Sequence, residues 1–152
     1  MKSANIILSA AGAAALLFAP IPAHAESVAH PVDLSGAIAA DYDAKLKALF
    51  IDFHKNPELS FKETRTAAII AREWRNAGWD VTENIGGTGV VAVMENGKGP
   101  TVMLRADMDG LPLLEDSGLP YTSAARQTDI DGKEKPVMHA CGHDVHITSL
   151  IG

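Results

Sequence analysis

Residues 137–146 hold three histidines (His139, His143, His146), one aspartate (Asp144) and Cys141, the only cysteine in the chain. Thiolate, imidazole and carboxylate are the groups that bind a borderline-soft divalent ion. Only Gly142 separates Cys141 from His143. A glycine there lets the backbone turn sharply, so both ligands can aim at one point. A thiolate is further favoured beside a helix start and a cation, since both lower its pKa. Asp144 could cap a following helix or orient a ligating imidazole. Two ligands do not complete a site: structural zinc takes four, and catalytic zinc takes three plus water. Asp107 and Asp109, in the acidic turn of residues 105–112, are further candidates. His139 and His146 read as supporting groups. The same residues have competing uses, a cysteine that merely packs or a thiol nucleophile with a histidine base.

The elements that must position this cluster come earlier. From Asp41 the pattern is helical, with Leu46, Leu49, Phe50 and Phe53 on one face. That helix should stop at Asn56-Pro57, because the residue before proline avoids the helical region. Ser60 and Glu63 have the spacing of a capping box for a second helix. Its apolar stripe is Ala67, Ile70, Ala71 and Trp74, and Gly78 ends it. Core packing is the default role of Phe53 and Trp74. Short strands should follow at 79–83, 90–94 and 101–104. Residues 86–89 turn between the first two, and Asn96-Gly97 between the last two. The glycines of 86–89 lack the spacing and the following Lys-Ser/Thr of a phosphate loop. The acidic turn then falls at the strand-end edge where α/β proteins bind ligands, although a solvated acidic turn would look the same. Residues 114–136 read as a polar excursion with a hairpin tip at Asp131-Gly132, and a helix should begin at Asp144. Alternating helices and short strands give an α/β fold class.

Composition limits the partners. The net charge is −6 and no basic stripe exists, which argues against nucleic-acid binding. Residues 1–25 read as a secretory signal: Lys2, an apolar run from Ile6 to Phe18, then Ala23-His24-Ala25 as a small-x-small cleavage site. The run is short for a membrane span, and no later one is long enough. The expected address is therefore periplasmic or extracellular. A lone cysteine in an oxidising compartment suits a protected metal ligand better than a disulfide. Residues 26–40 read as a linker, and 41–152 as the start of the folded domain.

FHKNPELSFKE, LRADMDGLP and MHACGHDVH stand in that order from Phe53 onward. Together they resemble the hippurate hydrolase and indole-acetyl-amino-acid hydrolase branch of the aminoacylase and zinc carboxypeptidase superfamily. The likeness spans most of the chain after the signal but only the leading part of a family member. It implies an α/β/α sandwich with a mixed sheet, present in part. The implied reaction is hydrolysis of an N-acyl amino acid amide, by water held between two divalent ions. Zn2+ is expected, with Mn2+ or Co2+ as alternatives. By this resemblance Cys141 and His143 match two metal ligands and Asp109 the supporting aspartate. Asp107 stands where related branches ligate through histidine, so it is not taken as a ligand.

The family's general-base glutamate, its remaining ligands and its dimerisation domain are expected beyond Gly152. The 152-residue chain alone is accordingly expected to be inactive, and the full-length protein to be a homodimer acting on a small substrate. Residues 128–135 lengthen the family's usual link into MHACGHD and read as a hairpin insertion near the substrate entrance. A metallo-dipeptidase or carboxypeptidase is the alternative enzyme. A non-catalytic periplasmic metal- or peptide-binding module is the alternative outside enzymes.

Overall fold

A computed structural model describes residues 33–152, so the secretory signal read at residues 1–25 lies outside the described residues. Helix α1 (Ser35–Asp41) runs through a single π-turn (Tyr42–Leu46) into α2 (Lys47–Lys55). Helical structure thus starts at Ser35 rather than Asp41. α1 buries no residue, so this early stretch adds length but no core. α2 ends at Lys55, directly before Asn56, as Pro57 dictates.

Helix α3 (Thr64–Asn76) follows, and Gly78 at φ +86° ends it in the left-handed region. Its cap differs from the expected box. Ser60 does not cap α3; the carboxylate of Glu58 does, accepting from the backbone N–H groups of Arg65 at 3.1 Å and Thr66 at 2.7 Å. An anion there meets both the unpaired donors and the positive end of the helix dipole. Glu63 is buried and accepts instead from the Thr88 hydroxyl at 2.5 Å.

Strands β1 (Asp80–Ile85) and β2 (Gly89–Val93) pair antiparallel around the 86–89 turn. The third expected strand, 101–104, is absent as a strand. Val102, Met103 and Leu104 are 80 %, 84 % and 76 % exposed, with no ladder partner among the described residues. Extended apolar residues gain a strand's stability only by pairing and burial, and here they have neither. Strands β3 (Arg126–Thr128) and β4 (Glu134–Pro136) form the expected second hairpin, tipped by Gly132. The sheets among the described residues are therefore two antiparallel hairpins, not a mixed sheet. With the helices, they form part of an α/β domain.

Helix α4 (His143–Ile151) closes the described fold. Phe53 from α2, Ile69 and Ile70 from α3, and Ile147 from α4 make the buried centre, with Leu49, Trp74, Met108 and Ile151 packed around it. Fully burying each large apolar side chain contributes about 1.5–3 kcal/mol. Phe53 and Trp74 are thus core residues, as their spacing implied.

The acidic turn is stitched to both flanks. Gly110 N–H donates to the Glu58 carbonyl at 2.6 Å, while Leu111 and Met138 exchange backbone bonds at 2.8 and 3.1 Å. A Cβ on Gly110 would lie 2.8 Å from a Val137 methyl and 2.9 Å from Pro57 Cβ. Only glycine fits this seam. Gly110→Ala should lower the unfolding free energy by about 1–3 kcal/mol, the range for overpacking a close contact. Urea denaturation reads this directly, and unchanged stability would show that the seam can open at no cost.

Candidate metal centre

The two sides of the seam bring Asp109 and His143 together. Asp109 precedes Gly110, and the cysteine–histidine loop runs from Met138 into α4. Gly142 sits at φ +76°, the left-handed geometry that glycine adopts without strain, and is the residue from which α4 starts. The turn expected between Cys141 and His143 is therefore present.

His143 lies against Asp109. Its Nδ1 is 2.9 Å from the Asp109 carbonyl oxygen and 3.0 Å from Asp109 Oδ1. Both partners are acceptors, so Nδ1 is the donor and Nε2 is the nitrogen left without a partner in this contact. A carboxylate and a carbonyl behind an imidazole form the usual support of a ligating histidine. The other Asp109 oxygen accepts from the Ser60 hydroxyl, which explains what Ser60 does in place of capping α3. The His146 ring packs beside His143, with centroids 5.7 Å apart.

Cys141 is exposed and free. Asp107 is turned to Arg105, with which it pairs, and takes no part in the His143 contact. No group of three or more histidine, cysteine, aspartate or glutamate side chains able to hold one ion is found among the described residues. This face supplies a thiol, one imidazole with a free nitrogen, and a carboxylate that fixes that imidazole. These fit part of a zinc-type donor set and not a whole one.

Asp144 does not orient a cluster histidine. Its Oδ2 lies 2.6 Å from Nδ1 of His54, a residue of α2 that sequence reasoning passed over. The other His54 nitrogen, Nε2, lies 3.0 Å from Glu115 Oε1. Asp144 and Glu115 are both buried. Glu115 also accepts from Ser117 Oγ and, at 2.6 Å, from the backbone of Ser123. Phe50 and Tyr121 flank the His54 ring at 5.8 and 5.2 Å. The signal for His54 was its place four residues after Phe50, on the inward face of α2. Its partners are 90 and 61 residues away in sequence, so no spacing could name them.

Burial acts to lower the His54 pKa, but the hydrogen bonds and charges of Asp144 and Glu115 outweigh it and hold it above 6.5. Burial acts to raise Glu115, but hydrogen bonds from Ser117, Ser123 and His54 hold it below 4.5. His139 contrasts with both. It is 6 % exposed, and neither ring nitrogen has a hydrogen-bond partner among the described residues. Burial, opposed by the Asp144 charge, pushes its pKa down and keeps the ring neutral.

Residues 103–152 match the model of peptidase family M20/M25/M40. Hippurate hydrolase of Campylobacter jejuni is 44 % identical over 112 residues, covering 73 % of this chain and 27 % of that protein. Thermostable carboxypeptidase 2 of Saccharolobus solfataricus is 46 % identical over 101 residues, covering 65 % and 23 %. Among solved structures, the Bacillus subtilis YXEP protein, a dinuclear metal-binding peptidase of the M20 family, superposes with a TM-score of 0.62 at 33 % identity. That superposition covers 74 % of this chain and 30 % of the other. The chain thus spans about a quarter of the length of the curated relatives it matches.

These likenesses define the described residues as part of the α/β domain seen in that neighbour. The similarity to peptidase family M20/M25/M40 lies in residues 103–152, the stretch that carries Asp109, Cys141 and His143.

The His54 contacts give a pH signature. A pKa raised on folding contributes stability that is full below about 6.5 and lost as pH rises through the folded value. The lowered Glu115 contributes the opposite: its stabilisation is present above about 4.5 and lost as pH falls through its folded value. Stability should therefore decline from about pH 6.5 upward, and His54→Asn should remove that decline. Urea unfolding at stepped pH measures it; parallel curves for both proteins would rule the linkage out.

Proposed function

We propose that this chain is the leading part of a hydrolase that cleaves the amide bond of N-acyl amino acids, with Cys141 and His143 as two ligands of a divalent ion pair. The observation that carries this reading is the committed Nδ1 of His143. Asp109 takes that N–H, leaving Nε2 as the only ring atom able to coordinate. Likeness to a hippurate hydrolase supports the substrate class. Thiolate with imidazole favours Zn2+, and Mn2+ or Co2+ are the alternatives.

When bound, such ions supply Lewis-acid activation of water and of the scissile carbonyl. The chain's own residues prepare for this in three ways. Asp109 fixes the tautomer of His143. Ser60 fixes the rotamer of Asp109 by donating to its second oxygen. Gly142, in the left-handed region, makes the turn between Cys141 and His143 at the start of α4.

None of the described carboxylates near the centre is assigned as the general base. Glu115 and Asp144 hold His54, Glu58 caps α3, Glu63 accepts from Thr88, and Asp107 pairs with Arg105. The base therefore comes from outside residues 33–152 in this reading. Residues 1–25 would export the protein, and no described helix is long and apolar enough to cross a membrane. N-terminal sequencing of the mature protein checks the export step.

The similarity to a carboxypeptidase keeps a second reading, peptide rather than acyl-amino-acid cleavage, by the same centre. In the full-length protein, hippurate-like amides should turn over faster than unblocked dipeptides, and a chelator should abolish the activity. Cys141→Ala should lower kcat/KM by more than about 100-fold, beyond the 10–100-fold typical of a supporting group. Wild-type rates in that variant would remove Cys141 from the centre, and faster peptide cleavage would favour the second reading.

A further inference from the structure

His54 is a half-buried ring that the proposed chemistry does not use. It sits on the last turn of α2, between two carboxylate oxygens: Asp144 Oδ2 at 2.6 Å and Glu115 Oε1 at 3.0 Å. Neutral imidazole has one donor nitrogen, so it can satisfy only one of two ionised carboxylates. Satisfying both as ionised carboxylates takes the doubly protonated ring, with one N–H for each side. The two carboxylates are almost wholly buried, with 3 % and 1 % of their side chains exposed, so neither can turn to water instead.

Each partner of this cation anchors a different part of the centre. Asp144 lies in the first turn of α4 directly after His143. Its second oxygen accepts from Val145 N–H at 2.9 Å, and its carbonyl accepts from the Thr148 hydroxyl at 2.7 Å, so the residue has no freedom left. Glu115 fixes the base of the 114–136 excursion through the backbone of Ser123, whose hydroxyl donates to the Val137 carbonyl at 2.8 Å. Val137 is the buried residue at the start of the cysteine–histidine loop. His54 thus holds that loop from both ends: at Val137 through Glu115 and Ser123, and at α4 through Asp144.

We propose that His54 is a positioning residue for the metal-binding loop, setting the aim of Cys141 and His143 through Asp144 at one end and Glu115 at the other. The inference rests on the metal reading of Cys141 and His143. His54 makes no bond to the reacting groups; it acts only through the two carboxylates. The charge on the ring matters because it lets both contacts form at once.

The test uses the full-length protein, freed of metal and titrated with Co2+, following the thiolate-to-cobalt absorption that reports Cys141 directly. His54→Ala should weaken Co2+ binding by about 10–100-fold, the range for loss of a group that orients ligands. The double variant His54→Gln with Glu115→Gln re-forms both contacts with neutral amides. The amide N–H introduced at position 54 can donate to Asp144, and its carbonyl can accept from the amide introduced at position 115. This variant should return affinity to within a few-fold of wild type. A merely structural role would instead lower the unfolding midpoint of His54→Ala and leave the Co2+ affinity of the folded fraction unchanged; that result overturns the proposal.

Should His54→Ala fail to fold, the wild-type protein decides. Zn2+ added to it must shift the ring-nitrogen resonances of His54, because coupling between loop and ring is reciprocal. Unshifted resonances overturn the assignment. Absence of any thiolate-to-cobalt band in wild type would instead sink the metal reading. The His54 inference is then judged by whether His54→Ala, or Glu115→Gln if that variant does not fold, alters the His143 ring resonances. Unaltered resonances reject it.

Discussion

The backbone at Gly110 is the constraint on which the rest of the centre depends. Three chain segments meet there with no room for a side chain: residues 57–59, the acidic turn, and residues 137–138. Glu58 links this seam to α3. Its carbonyl accepts from Gly110, and its carboxylate caps α3. A single residue therefore ties the start of the main core helix to the turn that carries Asp109. Because Asp109 immediately precedes the seam, one of its oxygens reaches Ser60 on one flank and the other reaches His143 across it. The His143 contact follows from backbone placement more than from any strength of its own.

Electrostatics sets the second layer. Burying Asp144 and Glu115 without compensation would cost several kcal/mol each. A protonated His54 offsets both, and the positive end of α4 adds to the field at Asp144. A buried charge cluster of this kind is poor evidence of extra stability, since well-packed apolar residues of equal volume often do as well. Its value is geometric. Charge-assisted bonds are short and directional, so they define where α4 begins more sharply than the packing of Ile147 could.

What the sequence made legible follows a physical pattern. Features set within a few residues were readable: the stop at Pro57, the left-handed ending at Gly78, the hairpin tip at Gly132 and the turn at Gly142. The apolar stripes of α2 and α3 named Phe53, Ile70 and Trp74 correctly. Features that depend on distant partners were not readable. Ser60 looked like a cap because Glu63 follows at the right spacing, but Glu58 already supplies the anion, and the hydroxyl is drawn to Asp109 instead. Residues 101–104 carry strand-like side chains, yet strand formation is decided by a partner rather than by propensity. Cys141 and His143 stood out in the sequence because metal-binding residue types are concentrated in one short stretch. His54, whose partners are scattered, gave only an inward position on its helix.

The excursion of residues 114–136 shows how such a centre tolerates variation. It is not a loose flap, because it is tied at separate points along its length. Glu115 and Ser123 bind its base to the core. In its middle, Gln127 accepts from Leu59 N–H at 2.6 Å and donates to the Lys62 carbonyl at 3.3 Å. Beyond those ties only the hairpin tip is open, with Ile130 81 % exposed and surface ion pairs at Arg126–Glu134 and Asp131–Lys135. Exposed pairs of this kind contribute little, about 0–1 kcal/mol. Length and composition at the tip can therefore change without moving Glu115, and through it His54 and the loop. Residues 128–135, expected from the sequence as a hairpin insertion, form this tip beyond the ties.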